Sequence, residues 1–167
     1  MSDQETPATG DVYAAEIERL VGDAARWLTD LDPAVLARPP DPGGWTVTEN
    51  LAHMAEFLRY WADQAVQVAA RPGGPFGRTQ DDPDRIAWVA THGDESLEQT
   101  VEALRSAGRY AAVALRSIPS GAWTATGLHP TRGAMEVDQI VELFMLRHLR
   151  AHLDQAGEAA GASAGGA

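Results

Sequence analysis

Residues 71–93 read RPGGPFGRTQDDPDRIAWVATHG. Helix-forming sequence lies on both sides of this stretch, so its length decides how the two helices are joined. It is too long for a plain turn, and its second half, DPDRIAWVATHG, suits a short helix. A connection of this length can carry the chain from one end of a helical bundle to the other. The helices on either side then run parallel.

Working outward, four long segments carry helical periodicity. The first runs from about Asp11 to Leu31, with Tyr13, Ile17, Leu20, Ala24, Trp27 and Leu31 on one face. In LDPAVLARPPDPGG, Asp32 caps a short turn that the prolines and glycines then stop. The second begins at Thr46, where Thr46 and Glu49 make a T-x-x-E capping box, and continues to about Ala70. Its apolar arc is Met54, Phe57, Leu58, Trp61, Ala65 and Val68, with His53 at the edge. The third covers about Asp94 to Ile118, and the fourth about Ala134 to Ala156. No alternating strand pattern of useful length is present. The expected architecture is all-α, a four-helix bundle with up-down-down-up topology and a long crossover between helices two and three. Residues 1–10 are expected as a flexible N-terminus, 11–156 as the bundle, and 157–167 as a disordered tail.

Composition narrows the function. The chain has 167 residues and no cysteine. Disulfides, thiolate ligands and a cysteine nucleophile are therefore excluded, and thiol chemistry needs a thiol brought by a cosubstrate. The net charge is −11, which repels nucleic acid and anionic membranes. No apolar run reaches the ~18–20 residues needed to span a bilayer. The acidic start, MSDQETPATGD, lacks the features of a secretory signal. A cytoplasmic protein is expected.

On the fourth helix His148 and His152 stand one turn apart, on a face shared with Val137, Val141, Phe144, Met145 and Gln155. Arg147, Arg150 and Asp154 point away. Two inward imidazoles need hydrogen-bond partners or a metal. An i, i+4 pair supplies two ligands, and a third must come from another helix at the same height. His53 can supply it only if helices two and four are antiparallel. The crossover at 71–93 provides that arrangement, so the candidate metal ligands are His53, His148 and His152.

The sequence also resembles the DinB-like family. GGWTVTENLAHMAEF is similar to that family's second-helix start, and HPTRGAMEVDQIVELFMLRHLRAHLDQ to its fourth helix, with H-x-x-x-H-x-x-Q. The resemblance covers about residues 11–156. It implies a DinB-type bundle whose three histidine positions fall on His53, His148 and His152, with a divalent metal near one end. Zinc or nickel suits nitrogen ligands best, and iron is also tolerated. The family includes metal-dependent S-transferases and isomerases that use low-molecular-weight thiols, mycothiol among them, and metal-dependent hydrolases. The expected function is therefore metal-dependent chemistry on a small molecule, by thiol transfer or hydrolysis. The alternative is a non-catalytic binding protein of a stress response.

Other residues carry structural readings. Glu49 is a cap. Tyr60 either lines the pocket or packs in the bundle. Gln155 either orients a ligand or ends a helix. His92 and His129 are loop residues away from the site. The tryptophans are anchors, with Trp88 available for a homodimer contact.

Overall fold

The computed structural model describes residues 9–36 and 43–164. The expected flexible terminus falls mainly on residues 1–8, which lie outside the described residues, as do 37–42 and 165–167. The described chain forms α1 (Thr9–Thr29), α2 (Pro33–Leu36), α3 (Val47–Ala70), α4 (Pro83–His92) and α5 (Leu97–Arg116). A two-stranded hairpin follows, β1 (Thr126–His129) and β2 (Gly133–Glu136). The chain then continues as one rod: α6 (Val137–Ile140), a π-helical segment (Val141–Arg147) and α7 (His148–Ala164).

The helix starts follow from local chemistry. Thr46 Oγ1 accepts the Glu49 N–H at 3.1 Å, and Glu49 Oε2 accepts the Thr46 N–H at 2.7 Å. Each bond satisfies a donor that the helix itself leaves open. Ser96 and Gln99 repeat this box at α5. Asp82 Oδ1 caps α4 through the Arg85 N–H, and Pro83, which has no N–H to lose, takes the first helical position. Asp32 Oδ1 accepts the Ala34 N–H at α2.

Named side-chain pairs fix the helix directions. Arg59 donates to Ser106 Oγ and Tyr110 to Asp63, so α3 and α5 advance together and are parallel. His152 meets Asn50, His148 meets His53 and Phe144 stacks on Trp61, so α3 and the fourth rod are antiparallel. Arg116 binds Glu18, while Gly108 packs on Val21, which sets α1 against α5. Tyr13 donates to Asp138, and Arg150 to Glu16, so α1 and the fourth rod run together. The bundle is thus up-down-down-up. Its core includes Ile17, Leu28, Leu51, Phe57, Leu58, Leu104, Leu115, Ile140, Met145 and Leu149, each fully buried.

Two features differ from the sequence reading. The first is the hairpin, whose strands of four residues are too short to show alternation. The crossover docks beside it: Gly73 N–H donates to Thr126 O, Leu128 N–H to Gly74 O, and Phe76 N–H to Leu128 O. Gly127 has no room for a side chain, since a Cβ there would stand 2.7 Å from both Phe76 and Val68. The second is the end of the fourth rod. Residues 157–164, expected as tail, continue the helix, with Ala156 and Ala159 buried. Alanine is the strongest helix former, and it outweighs the two glycines there.

Candidate metal centre

Asn50 and His53 lie on the inner face of the first two turns of α3, and both are buried. His148 and His152 open α7, directly after the π-helical segment. Because α3 and α7 are antiparallel, these four side chains meet at one level of the bundle. The ring centroids of His53, His148 and His152 stand 5.3, 4.6 and 4.5 Å apart in pairs, each pair edge to face. One ring nitrogen from each converges, all within 4.8 Å of one another. Nε2 of His53 and Nε2 of His148 are 3.1 Å apart. Two nitrogens bound at ~2.0–2.1 Å to one tetrahedral ion would stand about 3.3 Å apart. The spacing therefore suits a shared cation.

Asn50 sets the tautomer of His152. Its Oδ1 accepts the His152 Nδ1–H at 2.9 Å, while its own Nδ2 donates to Thr46 O at 3.0 Å. With Nδ1 protonated, Nε2 of His152 presents a lone pair to the cluster. His53 is 1% exposed, and its Nδ1 has no hydrogen-bond partner among the described residues. The nearest carboxylate oxygen, Glu56 Oε2, is 4.0 Å away and is held by Arg78 Nη2 at 2.6 Å. Trp45 and Phe57 wall the rings, with Phe57 4.6 Å from His148 and Trp45 4.9 Å from His53.

Burial keeps all three imidazoles neutral. It pushes His53 down to about 2, helped by repulsion from His152 and His148 once these are protonated and from Arg85 and Arg78. His148 falls to about 4 through burial, then Arg85 and Arg78. His152 also falls to about 4, through burial, His148 and Arg85, with a side-chain bond from Gln155 opposing the shift. Neutral imidazole is the form that binds metal.

A cavity of about 520 Å³ opens over His53 and His148. Phe57, Trp61, Leu143 and Phe144 supply its apolar wall, and Arg78, Arg85, Arg132 and His129 its polar one. His129 is a correction to the sequence reading. It is not a loop residue remote from the site but the last residue of β1, 6% exposed and lining this cavity. The hairpin brings it there by stacking it on Phe144 at 5.2 Å. Gly77, at φ +80°, passes so close that a Cβ would meet its ring at 2.6 Å. His92 does not reach the site. Its Nδ1 bonds Glu95 at 2.6 Å, and its ring lies 4.1 Å from exposed Trp88. Tyr60 stands outside the cavity lining with Arg78 over its ring at 3.9 Å. Glu49 caps α3, and Gln155 is exposed.

Sequence reasoning missed Asn50, Arg78 and Arg85. Asn50 is legible in retrospect, since it precedes His53 by three residues and so shares its face. The arginines come from the crossover, whose path periodicity does not reveal.

The chain is thus an up-down-down-up helical bundle in which three neutral histidines converge, two of them, His53 and His148, lining a cavity. The chain belongs to the DinB superfamily, whose model matches residues 16–156. Among solved structures it is similar to YfiT from Bacillus subtilis, a probable metal-dependent hydrolase with an unusual four-helix bundle topology. That likeness has TM-score 0.76 and 15% identity, over 96% of this chain and 92% of that one. It is also similar to the mycothiol-dependent maleylpyruvate isomerase, seen in two crystal structures, one of a His-to-Ala mutant. Here the TM-score is 0.68 and the identity 15%, over 91% of this chain. The chain spans 61% of the isomerase's length. These identities establish a shared fold. No curated protein sequence matches the chain. Among the described residues, no helix is long and apolar enough to cross a membrane.

Proposed function

We propose that His53, His148 and His152 hold one divalent metal ion, zinc or nickel, and that the protein uses it to transfer a low-molecular-weight thiol, mycothiol or a similar one, to a small electrophile. The observation that carries this reading is the convergence of three neutral imidazoles, two of which, His53 and His148, line a cavity large enough for a small substrate. Three protein ligands leave a coordination position open, and an ion bound there supplies Lewis acidity that lowers the pKa of a thiol or water.

The chain's own residues do the rest. Asn50 fixes the His152 tautomer, and Phe57 and Trp45 hold the rings in place and exclude water from behind them. In the transfer, the thiol sulfur forms a bond to an electrophilic carbon, and the leaving group departs with its electron pair. The thiol proton passes to solvent. Among the described residues no carboxylate lines the cavity, so none of them offers a side-chain general base of that type to the substrate. A thiol acidified by a cation needs none, and neither does a water so acidified; thiol transfer is put first on the likeness to the mycothiol-dependent isomerase. Hydrolysis is the second reading. It rests on the same three ligands and on the likeness to YfiT.

The test loads the protein with one equivalent of zinc or nickel and follows consumption of mycothiol with 1-chloro-2,4-dinitrobenzene and a panel of other electrophiles. Metal-dependent acceleration, absent in His148→Ala, is expected. Metal binding without any metal-dependent thiol consumption would reject thiol transfer. Ester or amide cleavage without thiol would then favour hydrolysis.

A further inference from the structure

A histidine that ligates a metal through one ring nitrogen carries its proton on the other, and that N–H needs an acceptor. For His152 the acceptor is Asn50, whose Oδ1 takes Nδ1–H at 2.9 Å. His53 has no such bond. Its Nε2 faces Nε2 of His148 at 3.1 Å, so ligation through Nε2 puts the proton on Nδ1. That Nδ1 is buried, in a residue 1% exposed, and has no hydrogen-bond partner among the described residues. A buried donor of this kind calls for an acceptor. Two polar neighbours on α3 are already committed. Asn50 holds His152 and donates to Thr46 O, and Glu49 Oε2 accepts the Thr46 N–H in the helix cap.

Glu56 is within reach. It follows His53 by three residues on the same side of α3, and its Oε2 stands 4.0 Å from His53 Nδ1. A charge-assisted bond of ~2.7–2.9 Å needs that gap to close by about 1 Å, which rotation of the Glu56 side chain supplies. The same Oε2 accepts from Arg78 Nη2 at 2.6 Å. A carboxylate oxygen has two lone pairs and can hold both donors. The Glu56 and Arg78 side chains are 12% and 10% exposed. Arg78 is held further by the Tyr60 ring at 3.9 Å and by Asp82 at 3.6 Å. One residue earlier, Gly77 N–H donates to Gln64 Oε1 at 2.7 Å, which pins the crossover to α3. An ion pair this buried adds little to stability. Its place beside an unpartnered imidazole nitrogen points to a role at the site.

We propose that Glu56 is the outer acceptor of the metal centre: tethered by Arg78, its carboxylate takes the Nδ1–H of His53 while Nε2 of the same ring faces the ion. The assignment rests on the three-histidine reading and deepens it. Three neutral imidazoles leave the charge of a divalent ion unopposed by its ligands. A carboxylate bonded to one of them fixes the ring's tautomer and orientation and makes it a more basic ligand. Glu56 is thus a positioning residue, and Arg78 is its tether. The crossover that sets the topology of the bundle also supplies the residue that holds Glu56 beside His53.

The test uses full-length protein and zinc alone. Competition with a chromophoric chelator gives the zinc affinity of wild type, Glu56→Leu, Glu56→Gln and Arg78→Met, with helix content checked by circular dichroism. Glu56→Leu, which removes the acceptor, should weaken zinc ~10–100-fold. Glu56→Gln keeps a carbonyl acceptor and should recover part of that loss. Arg78→Met removes only the tether and should cost less than Glu56→Leu. In zinc-loaded protein labelled with 15N-histidine, NMR should show His53 protonated on Nδ1, with the proton shifted downfield by its bond to the carboxylate. That proton should move upfield in Glu56→Leu. Zinc affinity of Glu56→Leu within twofold of wild type would overturn the assignment. So would an Arg78→Met loss equal to that of Glu56→Leu, which would make the pair only a latch for the crossover. Should Glu56→Leu not fold, the spectrum of the wild type decides, since a His53 proton on Nε2 also overturns it. Wild type that takes up no zinc would end the three-histidine reading as well, whereas tight zinc in both wild type and Glu56→Leu ends the role of Glu56 alone.

Discussion

Nε2 of His53 and Nε2 of His148 face each other at 3.1 Å across the seam between antiparallel α3 and α7. The residues are 95 positions apart in the chain, and the crossover at 71–93 is what allows them to meet. Without a cation, one nitrogen must donate to the other. The arrangement gains most from an ion that accepts lone pairs from all three rings.

Removing one ligand should remove the ion. His148→Ala and His152→Ala each leave two imidazoles and should lower metal content from about one per chain to near zero. His92→Ala, remote from the cavity, should leave it unchanged. Elemental analysis of untagged protein reads all three, and full retention in both ligand mutants would defeat the assignment.

Asn50 should matter nearly as much as a ligand. Asn50→Leu removes the acceptor that keeps the His152 proton on Nδ1. Loss of such an outer partner typically costs ~10–100-fold in metal affinity. Competition with a chromophoric chelator measures it. Affinity within twofold of wild type would show that Asn50 does not set the tautomer.

The metal-free protein should lose stability as pH falls from about 6.5. In the folded state His148 and His152 bind protons only near pH 4, and His53 near pH 2, against 6.5 in the unfolded chain. The unfolded state therefore takes up more protons through this window, and stability falls with pH. The acid loss from Glu16, lowered from 4.5 to about 2 by Arg19 and Arg150, belongs to a separate window below pH 4.5. Urea titrations of metal-free protein at pH 7.5 and 5 should show the decrease, and it should shrink in His53→Phe. Equal stability at both pH values would contradict the buried, neutral histidines.

The glycine beneath His129 should tolerate no side chain. Gly77→Ala places a Cβ 2.6 Å from the His129 ring and 3.3 Å from Trp61, at φ +80°. A strained backbone position of this kind costs about 1–3 kcal/mol. Thermal unfolding should shift down by several degrees, and Gly121→Ala, where nothing lies within 4 Å, serves as the control.

Much of this site was legible from residue spacing. Thr46 and Glu49 announced the start of α3, the i, i+4 pair announced the inward face of α7, and the length of 71–93 announced the parallel placement of α3 and α5. What spacing did not carry was the path of the crossover. Gly73–Phe76 pairs along β1 through backbone bonds that have no side-chain signature, and this pairing delivers Arg78 to the cavity and lays β1 over Trp61. The π-helical segment was also invisible, since a 3.6-residue period passes through Val141–Arg147 without a break. His129 was misread for the same reason as the hairpin: four-residue strands leave too little alternation to place one side chain inward.

The crossover itself can be challenged. Replacing 71–93 by a tight turn of about five residues leaves a span of at most ~18 Å, whereas α3, with 24 residues, is about 36 Å long. The shortened chain could only run up-down-up-down, with His53 at the far end from His148 and His152. It should bind no metal even where it remains helical by circular dichroism. Stoichiometric metal in a folded, shortened chain would contradict the topology argument.

The central claim is that one ion sits among His53, His148 and His152. X-ray absorption at the metal edge of protein purified without chelator or metal-binding tag tests it most directly. Three imidazole nitrogens at ~2.0–2.1 Å, as expected for zinc, falling to fewer in His148→Ala, is the predicted result. Oxygen-only coordination, or a spectrum unchanged by the mutation, would contradict it.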